Sequence, residues 1–152
     1  MVDVVDKQTR SRMMSGIKRA DTKPEMLLRR ALHARGFRYR LHDGRLPGRP
    51  DIVLPKWRVV IEVRGCFWHR HEGCPKATTP STNVDFWQKK FLSNVSRDRA
   101  NVDALLVEGW RVLIVWECAI GRILQPHVID EVTTFVTEGT QSGIRLDEIG
   151  AV

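Results

Sequence analysis

Asp51 follows Pro50, and after ten intervening residues comes Glu62-Val63-Arg64. Two carboxylates delivered by neighbouring strands suit a hard cation such as Mg²⁺, which takes a few acidic oxygens together with phosphate and water. Strand-end acids on a plain surface would look the same. Arg64 cannot serve as a base, because a guanidinium stays protonated up to about pH 12, but it can hold charge that builds on an anion. His69 lies close by in sequence. An imidazole titrates near neutral pH and so can move a proton.

The second constellation is Gly65-Cys66-Phe67-Trp68-His69-Arg70-His71-Glu72-Gly73-Cys74, joined at a distance by Cys118. Thiolates and imidazoles suit zinc, and a structural zinc takes four such ligands in a tetrahedron. All three cysteines with one histidine would make a Cys₃His site. Buried cysteines also serve as small apolar residues, but two of these sit in a polar loop flanked by Gly and Pro. Spacing leaves His69 and His71 both open as the nitrogen ligand. Phe67 and Trp68 share that loop with Arg64, His69 and Arg70, where a core role is awkward. Aromatic residues so placed can wedge between base pairs or stack on exposed bases. Trp87 shares a helical stripe with Lys90, Asn94 and Arg97, yet also precedes apolar Phe91 by one turn, so it could equally cap the core. Trp57, Trp110 and Trp116 read as ordinary strand residues with no site role.

The elements that must position these groups follow from pattern. Thr22-Lys23-Pro24-Glu25 is a capping-box start, Leu27, Leu28, Ala31 and Leu32 recur at helical spacing, and Gly36 stops the helix. Phe37 to Leu41 alternates as a strand does. Leu46-Pro47-Gly48-Arg49-Pro50 is a turn that delivers Asp51 to the head of a strand at Ile52 to Leu54. A third strand at Val59 to Val63 is β-branched, as a buried strand should be. Residues 65 to 82 are irregular. A second helix runs from about Asn83 to Glu108, and Trp110 to Trp116 forms a near-continuous apolar strand placed centrally. A short helix from Ile129 to Val136 closes the chain. The order α-β-β-β-α-β indicates a single α/β domain with helices covering a mixed sheet. The polar, basic first twenty residues read as an arm or short helix (1–20), leaving 21–152 as the folded domain.

The chain has 152 residues, 42% hydrophobic, with 25 Lys+Arg against 18 Asp+Glu and a net charge of +7. That length buries a real core. A basic excess suits a polyanion, since each neutralised phosphate releases a counterion. No apolar run approaches the roughly 20 residues that span a bilayer, and the N-terminal residues lack the order of a secretory signal. A soluble intracellular protein is expected. An odd cysteine count there argues against a disulfide framework and for metal.

Pro50-Asp51…Glu62-Val63-Arg64 also matches the P-D-(x)n-(D/E)-x-K pattern of restriction-enzyme-like nucleases, with Arg in the Lys place. Over roughly residues 6 to 120 the chain resembles the very short patch repair (Vsr) endonuclease family. The resemblance runs through Asp6-Lys7, Thr9-Arg10-Ser11, Met14, Asp21-Thr22, Leu46-Pro47-Gly48-Arg49-Pro50-Asp51, Gly65-Cys66-Phe67-Trp68-His69, Phe86-Trp87, Asn94-Val95 and Gly109 to Cys118. It implies a restriction-endonuclease-like fold and nicking of duplex DNA beside a T·G mispair left by 5-methylcytosine deamination. By the same resemblance Asp51 would ligand Mg²⁺. Glu62 would add a second carboxylate to the ion, and if Glu62 is only a strand-end acid the site rests on Asp51 and a backbone carbonyl, most simply that of Val63. His69 would be the general acid/base, and Glu25 would hold water or His69. The zinc set maps onto Cys66, His71, Cys74 and Cys118, which selects His71. Phe67, Trp68 and Trp87 map onto the aromatics that enter the DNA, Lys90 and Asn94 onto positions that approach the mispaired bases, and the arm with Met14 would lie along the other groove. It implies a monomer in the bacterial cytoplasm, associated with the nucleoid and linked to a cytosine-5 methyltransferase and a repair polymerase.

Family members often carry His where Arg64 stands and no acid at the Glu62 position, and one extra residue separates His71 from Cys74. Two rival readings follow. One is a nuclease of the same chemistry with another target, such as an unmethylated site or a different mismatch. The other is a zinc-stabilised DNA-binding module without catalysis, against which Asp51, Glu62 and His69 together count.

Overall fold

A computed structural model describes residues 20–138 and 146–150 of the chain. The expected arm, with Met14, lies outside the described residues. Helix α1 spans Lys23–Ala34. Thr22 caps it, its side chain accepting from the Glu25 amide at 3.4 Å, and Pro24 sits in the first turn where a missing N–H costs nothing. The box is one-sided, because the Glu25 carboxylate is turned to Arg29 and His42. Leu28 and Leu32, one turn apart, are fully buried, and Gly36 at φ 91° ends the helix.

Five strands form one sheet in the order β1 (Arg40–Leu41), β2 (Ile52–Leu54), β3 (Val59–Arg64), β4 (Arg111–Trp116), β5 (Leu146–Ile149). The first two pairings are antiparallel and the last two parallel. A mixed α/β sheet flanked by helices is thus present, as expected, with β4 interior.

Period-two alternation splits the strands between two cores. Ile52, Leu54, Val59, Ile61, Leu113 and Val115 face α1 and a helix α4 (Pro126–Glu138). Val53, Val60, Val112 and Ile114 face the long helix α2 (Val84–Val107), with Leu105, Val102, Cys66, Cys74 and Trp116. A four-residue helix α3 (Glu117–Ile120) follows β4 directly and carries Cys118. Arg111, buried on β4, donates to the carbonyls of Phe135 at 2.7 Å and Val136 at 2.8 Å, so a cation satisfies the buried C-terminal carbonyls of α4.

Four expectations need correction. The strand foreseen over Phe37–Leu41 is confined to Arg40–Leu41, because Phe37 N–H returns to the Leu32 carbonyl and Tyr39 Oη donates to the Arg29 carbonyl, tying both to α1. The last helix is longer than Ile129–Val136. Strand β5 was not foreseen. Trp57 belongs to a 3₁₀ turn (Pro55–Trp57) and Trp110 precedes β4, so of the three tryptophans read as strand residues only Trp116 lies in a strand. No helix among the described residues is long and apolar enough to cross a membrane.

Candidate active site and metal centre

The antiparallel register pairs Ile52 with Ile61, which sets Asp51 opposite Glu62 at the end of the β2–β3 ladder. Val63 N–H donates to Asp51 Oδ2 at 2.8 Å and holds that carboxylate at the sheet end. Burial first, then the neighbouring Glu25 and Glu62 carboxylates, together push the Asp51 carboxyl up to about 7 against the pull of the Val63 amide. The Glu62 carboxyl is also raised by burial, and by Asp98, against the pull of Arg64 and His69. Crowded, half-dry carboxylates are poor neighbours unless a cation joins them. Their hard oxygen donors fit a divalent ion such as Mg²⁺.

Glu62 and Arg64 lie two apart on one face of β3, and Arg64 Nη2 donates to Glu62 Oε2 at 3.1 Å. The Arg64 guanidinium also lies over the Trp116 ring at 5.8 Å. His69 stands near Glu62 but is held by Asp98 of α2, Nδ1 to Oδ2 at 2.6 Å. Glu25, 1% exposed, is held by Arg29 Nη1 at 2.9 Å and His42 Nε2 at 2.8 Å, both on Oε2. Arg29 also grips Asp21 at 2.6 Å. Asp98 and His42 escaped the sequence reading. The helical phase of Asp98, one turn from Asn94, was the one available hint.

The thiols and imidazole meet as expected. Cys66, His71, Cys74 and Cys118 offer ligand atoms that all lie within 4.8 Å of one another. His71 Nδ1 is 3.6 Å from Cys66 Sγ and 3.4 Å from Cys118 Sγ. Tetrahedral bonds of about 2.3 Å to sulfur and 2.0–2.1 Å to nitrogen would separate such atoms by roughly 3.6 Å, so the donor set fits a tetrahedral metal. His71 belongs to this cluster and His69 to the carboxylates. Trp116, read as having no site role, is stacked on His71 with centroids 4.2 Å apart and planes 7° apart. Cys66 N–H donates to Glu117 Oε1 at 3.0 Å, which fastens the loop to α3.

A second group, Asp21, Glu25 and His42, also has ligand atoms within 4.8 Å. The Arg29 guanidinium already sits on both carboxylates, so it is better described as an ion-pair hub than as a cation site.

The aromatics form one cluster. Phe67 packs edge-on against Trp68, Trp87 and Phe91 at 4.9, 5.6 and 5.3 Å. Trp87 is buried, with an indole N–H that has no hydrogen-bond partner among the described residues, whereas Phe67 and Trp68 remain half-buried. Asn94 is buried and donates to the Trp68 carbonyl at 3.1 Å while accepting from Arg97 at 3.0 Å. Lys90 is exposed. A cavity of about 520 Å³ lies elsewhere, lined by Cys118, Gly121, Arg122, His127, Glu131 and Gly150.

Comparisons with known proteins identify the family. The family model described as DNA mismatch endonuclease Vsr matches residues 2–76. The DNA mismatch endonuclease Vsr of Escherichia coli (strain K12) is 48% identical over 120 residues, 79% of this chain and 76% of that one. The type II nicking enzyme V.XorIIP of Xanthomonas oryzae pv. oryzae is 42% identical over 123 residues, 81% and 90% of the two chains. The type II nicking enzyme V.NmeAIP of Neisseria meningitidis is 43% identical over 120 residues, 79% and 85%. With the family model matching residues 2–76 and a 48% identical relative covered over 76% of its length, the chain belongs to the Vsr family of DNA mismatch endonucleases.

Proposed function

We propose that this protein hydrolyses one strand of duplex DNA beside a T·G mispair that arises from 5-methylcytosine deamination, and so starts very short patch repair. The observation that carries the reading is the juxtaposition of Asp51, Glu62 and the His69–Asp98 pair with a half-buried aromatic loop one residue away.

In this reading Asp51 and the Val63 carbonyl hold a magnesium ion, with Glu62 adding charge. The ion supplies charge neutralisation at the phosphate and lowers the pKa of water. Asp98 on Nδ1 fixes the His69 tautomer and leaves Nε2 to accept or give the proton. Arg64 stabilises the negative charge that grows on the phosphate oxygens. Phe67 and Trp68, backed by Trp87, unstack the mispair, where unstacking costs least, while Lys90 and Asn94 approach the bases. Zinc on Cys66, His71, Cys74 and Cys118 is structural, since four protein ligands leave no open position. The fold is restriction-endonuclease-like, the protein acts as a cytoplasmic monomer on nucleoid DNA, and it works beside a cytosine-5 methyltransferase and a repair polymerase, with the arm and Met14 along the far groove.

The test is an end-labelled duplex set that differs only at one pair: T·G, T·A, C·G and A·C at candidate methylation sites, with and without Mg²⁺. Nicking confined to T·G supports the proposal. Equal cutting of a paired duplex points to a nicking enzyme with another target, and binding without cutting points to a non-catalytic module.

A further inference from the structure

His42 is a residue the site needs for its shape, yet no part of the chemistry above uses it. Its backbone is left-handed, φ 46°, a conformation that a histidine adopts only under constraint. Two bonds impose it: His42 N–H donates to the Asp51 carbonyl at 3.1 Å, and Arg49 Nε donates to the His42 carbonyl at 3.0 Å. Both come from the Arg49-Pro50-Asp51 stretch that delivers the catalytic carboxylate. The ring is thereby aimed inward, its side chain 14% exposed, with Nε2 at 2.8 Å from Glu25 Oε2 and 4.0 Å from Asp51 Oδ1.

Glu25 is the group that gains. It is a nearly solvent-free carboxylate on α1, facing Asp51 on the sheet. Arg29 reaches Oε2 from the same helix. His42 reaches the same oxygen from the sheet side, so it alone of the two ties the orientation of Glu25 to the position of Asp51. Oε2 is taken twice, and the Glu25 carboxylate lies within hydrogen-bonding reach of the Asp51 carboxyl.

We propose that His42 is a positioning residue: it locks the Glu25 carboxylate against the Asp51 carboxyl and so fixes the orientation of the metal-binding carboxylate at the sheet end. The proposal rests on the reading that Asp51 binds a divalent cation for strand nicking. It makes His42 act on the rate of hydrolysis rather than on DNA affinity, because neither of its contacts faces the aromatic loop.

The test uses the full-length protein and two variants chosen for the backbone. His42→Asn keeps a side chain that tolerates the left-handed conformation but is too short to reach Glu25. His42→Gln can place an amide N–H about where Nε2 stands. Single-turnover nicking of a T·G duplex, duplex affinity, thermal midpoint and Mn²⁺ binding to the free protein are measured for the parent, both variants and Asp51→Ala. The expected result is a rate at least about tenfold lower for His42→Asn, recovered to within about threefold in His42→Gln, with duplex affinity within about twofold of the parent throughout. A parental rate in His42→Asn overturns the proposal. So does a His42→Gln rate as low as that of His42→Asn when both melt at the parent's temperature, since the hydrogen bond would then be irrelevant. If His42→Asn melts early, the His42→Gln comparison decides alone: a rate more than about tenfold down at parental stability overturns the proposal, and one within threefold supports it. Should Asp51→Ala bind Mn²⁺ and nick like the parent, the metal reading itself has failed, an outcome distinct from failure at His42.

Discussion

At the scale of single residues, Asp51, Glu62 and Arg64 divide the work in ways that separate experimentally. Asp51→Ala removes the carboxylate that Val63 N–H holds at 2.8 Å and is expected to abolish nicking, a loss of at least about 10³-fold. Glu62→Gln keeps the shape but drops a charge, so the Mg²⁺ concentration for half-maximal rate should rise several-fold. Arg64→Ala should slow turnover about tenfold or more with that concentration unchanged, because a guanidinium stabilises charge without binding metal. If Glu62→Gln shows the parent's magnesium dependence, Glu62 is only a strand-end acid bridged to Arg64. Asp51, Glu62 and His69 were legible because the P-D and E-x-R spacing is local to two adjacent strands. Asp98 and His42 were not. Their partners lie 29 and 17 residues away in sequence, and nothing in a lone Asp on a helix or a lone His in a turn signals such pairing.

At the scale of elements, the loop between β3 and α2 has little apolar surface with which to order itself. Its shape rests on the Cys/His cluster, the His71–Trp116 stack and the Cys66–Glu117 bond. Cys74→Ser should release one equivalent of zinc and lower stability by on the order of 2–4 kcal/mol, a fall in thermal midpoint of roughly 5–15 °C for a chain of this size. Metal analysis with melting checks this, and a zinc-free parent or an equally stable variant would contradict it. The same loop carries Trp68. Trp68→Ala should weaken binding to a T·G duplex much more than to a paired one, by about tenfold, as competition binding would show. An equal loss on both duplexes would mean that Trp68 only packs on Phe67 and Trp87. Helices α1, α2 and α4 and strands β2 to β4 were readable from helical spacing or short apolar runs, whereas α3, four residues long, was not. The last strand was not, since Leu146-Asp147-Glu148-Ile149 exposes three of its four residues and has no hydrophobic pattern to find. Its place is set by pairing to β4, which only the folded chain supplies.

At the scale of the whole molecule, metal, pH and stability are linked through Asp51. Its carboxyl, pushed up to about 7 from 3.8 chiefly by burial, binds more protons folded than unfolded across that interval. The Asp51 contribution to metal-free stability is therefore fullest below about pH 4 and is lost as pH rises through about 7. A cation that binds the ionised form offsets this, so Mg²⁺ should raise the thermal midpoint more at pH 8 than at pH 5. Asp51→Asn should remove most of that difference, and a magnesium shift independent of pH would separate Asp51 from the metal. The central claim is that a family fold has brought Asp51 to the sheet end as the metal-binding carboxylate of a mismatch nickase. Its most direct test is a magnesium titration of single-turnover nicking on matched T·G and T·A duplexes, with parent and Asp51→Ala side by side. The account predicts saturable, magnesium-dependent nicking of the T·G duplex by the parent alone. Nicking of T·G by Asp51→Ala at the parental rate, or by the parent without any divalent cation, would contradict it.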